Sequence, residues 1–211
     1  MIRLLHRDRS GAVRRDVPLE KLPRLLRQPG GMLWLDFSGE PPEACEPILR
    51  QAFGFHPLAI DDALQETHVP KLDDWGEYLY LAIHAIHYDA ARETPLTTHE
   101  CDAFLGGNYL VTHHDDALPE VDRVWERIGV DDRYLADGPD HLYYTLADEI
   151  IYSYLRNIEA IDDSSRTPSS SARRPRRSKG SSPSSAACCS CAASWDRSAR
   201  SSTSSPATIC A

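Results

Sequence analysis

Tyr78-Leu79-Tyr80-Leu81-Ala82-Ile83-His84-Ala85-Ile86-His87-Tyr88 is the stretch on which the fold turns. Leu79, Leu81, Ile83 and Ala85 alternate with Tyr80, Ala82, His84 and Ile86, the two-residue period of a long strand. Downstream, residues 100–105 and 108–113 read as two more strands around Gly106-Gly107, a pair whose tolerance of positive φ suits a hairpin. Upstream, residues 1–7 and 32–37 read as strands, the second carrying Trp34 and closed by Ser38 and Gly39. Helical spacing covers residues 19–28, residues 43–53 up to Gly54, residues 57–66 with Pro57 at the first helical position, and residues 118–128. From about 140 to 163, Leu142, Leu146, Ile150, Tyr154, Ile158 and Ile161 recur at steps of three or four, one apolar face of a long helix. The expectation is an α/β protein: an α/β/α layered domain with a mixed sheet, then a long C-terminal helix and a disordered tail.

Composition narrows the classes. The chain has 211 residues, 41% hydrophobic and 26% charged, enough for one domain core. No run approaches the roughly 18 to 20 apolar residues of a membrane span, and the start MIRLLHRDRS lacks a secretory apolar core, so the cytosol is the expected location. Of six cysteines, Cys188, Cys189, Cys191 and Cys210 fall in the last 48 residues. No disulfide framework or zinc spacing emerges.

The net charge of −9 conceals a split. Residues 164–211 carry a net +7, so residues 1–163 carry −16. So acidic a body repels nucleic acid and anionic lipid and suits cations; acidity kept for solubility alone is the plain alternative. Three segments result: 1–139, a layered domain; 140–163, the long helix; 164–211, the tail. Seventeen of the tail's 48 residues are Ser and no period survives, a composition that signals disorder. Read one base out of step, however, Cys188-Cys189 becomes Leu, Trp195-Asp196 becomes Gly, and a Leu/Arg-rich amphipathic helix is permitted. A frameshifted or misassigned C-terminus and a genuine disordered tail both stand.

The run Phe53-Gly54-Phe55-His56-Pro57-Leu58-Ala59-Ile60-Asp61-Asp62-Ala63-Leu64, then Pro70-Lys71-Leu72-Asp73-Asp74-Trp75 and Tyr78-Leu79-Tyr80-Leu81, resembles the cytosolic N-terminal domain of the CorA family of divalent-cation channels. Glu100, Phe104-Leu105-Gly106-Gly107-Asn108-Tyr109-Leu110-Val111-Thr112 and Leu142-Tyr143-Tyr144-Thr145-Leu146-Ala147-Asp148 follow in the right order. The resemblance covers residues 30–163. That family continues into a stalk helix, two transmembrane helices and a Gly-Met-Asn signature, none of which this sequence holds, so permeation cannot belong to the chain as written. The shifted tail resembles the stalk. Val69 stands where Arg is usual, and Asp61 where Glu is commoner.

The resemblance implies a regulatory Mg²⁺ response, with Co²⁺, Ni²⁺ and Zn²⁺ as further ions, at acids meeting across the subunits of a homopentamer in the cell membrane, with this domain in the cytosol. By position the metal candidates are Asp61, Asp62 and Asp148; a solvated helix face is the alternative for each. Mg²⁺ keeps several waters and needs one or two carboxylates, so such a site can be divided between chains. Without the stalk and membrane helices the chain is expected to be monomeric or weakly associated, with no membrane insertion and no nucleic-acid partner.

Two rivals remain: a stand-alone soluble regulator that binds metal or a partner protein, and a small metal-dependent hydrolase using His113-His114-Asp115-Asp116. Neighbouring strand residues face apart, so that run reads as a strand end and polar turn. His84 and His87 also face apart, and His56 before Pro57 reads as a packing or capping residue. No phosphate-binding loop, nucleophile elbow or H-E-x-x-H occurs, and no enzyme activity is expected.

Overall fold

The computed structural model describes residues 1–65 and 69–166. In chain order they form β1 (Ile2–Arg7), β2 (Val13–Arg14), α1 (Leu22–Leu26), β3 (Met32–Ser38), α2 (Pro42–Ile48), α3 (Pro57–Leu64), β4 (Lys71–Asp74), β5 (Tyr78–Tyr88), β6 (Leu96–Gly106), β7 (Tyr109–His114), α4 (Pro119–Val130) and α5 (Pro139–Arg166). The strands make one sheet in the order β2-β1-β3-β7-β6-β5-β4. Only β3 and β7 run parallel; every other pair is antiparallel. The mixed sheet and the long helix are as expected. That helix continues to Arg166, past the expected end at 163, and the rest of the expected tail lies outside the described residues.

Alternation along the strands sends apolar side chains to both faces. Leu33, Leu35 and Phe37 of β3 join Leu22 and Leu25 of α1, Cys45 of α2 and Ala59, Ile60 and Ala63 of α3 on one face. Met32 and Trp34 join Val121, Val124, Trp125 and Ile128 of α4 and Leu142, Leu146 and Ile150 of α5 on the other. The sheet is thus the middle layer between α1–α3 and α4–α5. Pro119 opens α4, and Glu120 and Asp122 in its first turn oppose the positive end of the helix dipole.

Local chemistry explains where the elements depart from expectation. Residues 19–21 form a 3₁₀ turn before α1, which is five residues long. The helix over 43–53 divides into α2 and a π-helical turn over Leu49–Phe53, with Pro47 inside α2 and Gly54 ending the run at φ 72°. Gly106 and Gly107 are not among the positive-φ residues. Gly106 is needed for space instead: a Cβ there would stand 2.2 Å from the Tyr109 ring.

β4 pairs with β5 only over residues 79–82, and its short polar sequence carries no apolar alternation that would announce it. Beyond that, α5 side chains occupy the free edge of β5. Tyr154 Oη donates to the His84 carbonyl, Asn157 Nδ2 donates to the Ile86 carbonyl, and the Tyr88 amide donates to Asn157 Oδ1 at 3.0 Å. Side chains here supply hydrogen bonds that a further strand would otherwise make.

Candidate functional site

α3 carries two of the three metal candidates. His56 caps it, its Nδ1 accepting from the Leu58 amide at 3.2 Å, and stacks on Trp75 with ring centroids 4.4 Å apart. Ala59, Ile60 and Ala63 face the sheet, leaving Asp61 exposed and Asp62 half-buried on the outer side. Asp62 is already partnered. Lys71 Nζ of β4 lies 2.5 Å from Asp62 Oδ2 and 3.2 Å from Asp73 Oδ2, and 5.0 Å over the Tyr80 ring. Burial draws the Lys71 pKa down, but the Asp62 and Asp73 carboxylates outweigh it and the net direction is up.

Asp148 is exposed on α5, on the opposite side of the sheet from α3. The structure therefore does not bring Asp61, Asp62 and Asp148 together within one chain. Around Asp148 at helical steps lie Tyr144, Ile151, Tyr152 and Leu155, all more than half exposed. Among the described residues no three His, Cys, Asp or Glu side chains are grouped so as to hold a metal ion.

Sequence reasoning missed two buried polar clusters. On the α4–α5 face, Asp36 of β3 accepts from Arg3 Nε at 2.7 Å and from Thr112 Oγ1, and lies 3.4 Å from His114 Nε2; Trp34 Nε1 donates to Thr112 at 3.0 Å. Burial pushes the Asp36 pKa up, but His114, Arg3 and Thr112 together hold it below the usual carboxylate range. Burial pulls the His114 ring down, yet the Asp36 carboxylate leaves its pKa raised.

The second cluster lies on the α1–α3 face, where Glu100, Asp102, His113, Asp115 and Asp116 line a cavity of about 10 Å³ beside Ala63. Tyr80 Oη donates to Asp102 Oδ1 at 2.5 Å, and burial pushes the Asp102 pKa up to about 6. The signal was available: Glu100, Asp102 and Phe104 alternate in phase, and Phe104 belongs to the core. His113 and His114 face opposite sides of the sheet, as adjacent strand residues must. They share no single ion site.

The soluble domain of CorA from Methanocaldococcus jannaschii superposes with TM-score 0.57 at 17% identity, covering 76% of this chain and 60% of that one. The layered sheet and its helices thus have the fold of a metal-ion transporter's soluble domain. A profile of the CorA-like Mg²⁺ transporter protein family matches residues 29–177, and the chain belongs to that family.

Among relatives, the putative metal ion transporter YfjQ of Bacillus subtilis (strain 168) is 35% identical over 150 residues, covering 71% of this chain and 44% of that protein. The cobalt/magnesium transport protein CorA of Thermotoga maritima is 24% identical over 131 residues, 62% of this chain and 37% of that protein. The chain spans less than half the length of these curated relatives. No described helix is long and apolar enough to cross a membrane.

Proposed function

We propose that this chain supplies the metal-sensing domain of a CorA-type transporter for Mg²⁺ or a similar divalent ion, placed in the cytosol, and that it has no enzymatic role. The observation that carries the reading is the placement of Asp62 and Asp148 on opposite sides of the sheet in a family member. A pair so separated can share an ion only between two copies of the chain. The exposed apolar side chains around Asp148 give a second copy something to cover, which supports the same reading.

Mg²⁺ then acts as a removable bridge. Without it, acids at the boundary repel; with it, they are held together, and the arrangement that binds the ion becomes the populated one. The ion regulates and is also the transported species. The chain by itself is monomeric or weakly associated, and assembly into a pentamer belongs to the whole transporter. Sequencing the gene through the Asp163 codon tests whether the tail is out of frame: an overlapping frame with a stalk, two apolar spans and Gly-Met-Asn supports a truncated transporter, and its absence favours a stand-alone regulator. The sensing role is tested by melting and sedimentation with Mg²⁺. A response matched by monovalent salt and unchanged in Asp62→Asn and Asp148→Ala overturns it.

A further inference from the structure

The cavity beside Ala63 contains a buried imidazole that makes no hydrogen bond among the described residues. The His113 side chain is 3% exposed, and neither ring nitrogen has a described partner within bonding distance. Nδ1 stands 3.9 Å from Asp102 Oδ2 and Nε2 stands 3.8 Å from Asp115 Oδ1. A neutral imidazole has one N–H and one lone pair, so between two carboxylates it satisfies one and turns its lone pair on the other. A proton on Asp102 removes the conflict: the carboxyl O–H then faces the lone pair of Nδ1, and the N–H at Nε2 is left for Asp115.

We propose that this cavity is a proton-binding site in which Asp102 takes up an added proton against the unbonded His113 ring, and that its uptake ties the turn at Asp115 to the end of β7. The surroundings favour it. Among the described residues four carboxylates and one imidazole line the cavity, and no Lys or Arg does. From β5 come Tyr80, already donating to Asp102, and His84, whose Nε2 is 3.5 Å from Glu100 Oε2. Asp116 is held by His99 Nδ1 at 2.7 Å. From β3 the register partner of His113 is Phe37, which is apolar. α3 contributes Ala63 to the lining, and β4 contributes Lys71 only across the Tyr80 ring. On α2 the Cys45 thiol is pushed up to about 11 by burial, with Glu40 and Asp115 adding to it, so the neighbourhood is negative.

The proton has a route. Asp115 is half-exposed on the turn, and the cavity has room for one water-sized body. Burial holds Asp102 near 6, above its ordinary 3.8, so the folded chain binds this proton more readily than the unfolded chain. The contribution is fully present below the ordinary value and lost as pH rises through about 6.

The test uses the whole chain. Carbon NMR follows the Asp102 carboxyl from pH 4 to 8 in the wild type and in His113→Gln, and amide exchange, corrected for intrinsic rates, follows residues 115–117. Expected are a midpoint near 6 that moves measurably upward in His113→Gln, and several-fold greater protection at the acidic end. That pH dependence disappears in His113→Gln and in Asp102→Asn. A midpoint in the ordinary carboxylate range, a midpoint unmoved by His113→Gln, or protection independent of pH overturns the proposal. The wild-type and His113→Gln measurements decide it even if Asp102→Asn fails to fold. The His114–Asp36 pair lies on the other face and is unaltered in each comparison.

Discussion

Lys71 Nζ sits 2.5 Å from Asp62 Oδ2, so a lysine from β4 occupies one of the acids expected to meet a divalent ion. The ion must compete with that ammonium. Lys71→Ala is therefore expected to shift the Mg²⁺ midpoint to lower concentration by about two- to five-fold, the worth of a part-exposed ion pair. Asp62→Asn is expected to remove most of the response. In the wild type, Mg²⁺ at ten times its Kd adds about 1.4 kcal/mol, or about 3–5 °C in Tm for a domain of this size. Melting curves with Ca²⁺ and monovalent salt as controls check it; equal responses in both variants refute it.

Asp148 is exposed, so Asp148→Ala should leave folding stability within about 0.5 kcal/mol of wild type. Its effect should fall instead on association. Sedimentation in millimolar Mg²⁺ should show less self-association in Asp148→Ala than in wild type, with no difference in chelator. A variant that associates as the wild type does with Mg²⁺ would remove Asp148 from the boundary.

Asp36 and Arg3 form a buried ion pair, with side chains 0% and 10% exposed. Arg3→Ala takes the guanidinium from the buried carboxylate, leaving it Thr112 and His114, and should cost up to about 3–5 kcal/mol in urea unfolding at neutral pH. Because the Asp36 pKa is held down, its contribution is present above the ordinary carboxylate range and lost as pH falls through its folded value. The raised His114 pKa acts in the opposite direction: its contribution is present below 6.5 and lost as pH rises through its folded value. Asp36→Asn should thus destabilise more at pH 6 than near pH 3, and an equal penalty at both would show that the charge is immaterial.

Phe55 stacks on Phe104 with centroids 4.2 Å apart and on Phe53 at 5.1 Å. Phe55→Ala should cost about 3–5 kcal/mol. Gly54→Ala next to it meets no atom within 4 Å, so only its φ of 72° opposes the change. That penalty should be about 1–2 kcal/mol. Chemical unfolding of both variants checks the ordering, which reverses if the aromatic stack contributes little.

Strong periodicity was legible and sparse chemistry was not. The bounds of β5, Tyr78–Tyr88, follow from its alternation alone. β4 escaped notice because Lys-Leu-Asp-Asp has one apolar residue and becomes a strand only by pairing with β5. The hairpin glycines were found for the wrong reason, since the need at Gly106 is room for the Tyr109 ring. At the candidate site, Asp61, Asp62 and Asp148 came from resemblance, and their environments required coordinates. No local pattern pairs Lys71 with Asp62. Asp102 and His113 lie on neighbouring strands, where register decides what meets.

The fastening of α5 to β5 has a mechanical consequence. Asn157 grips the carbonyl of Ile86 and the amide of Tyr88 together, and Tyr154 grips the carbonyl of His84. Sliding the helix by a single residue, about 1.5 Å, would break all three bonds. Slippage of the helix along the strand is therefore opposed, and the helix moves with the strand it grips. Its 28 residues reach about 42 Å, so a tilt of about 5° at the Pro139 end carries the Arg166 end through about 3.7 Å. A displacement smaller than a side chain at the sheet is therefore delivered as a larger stroke wherever the helix ends.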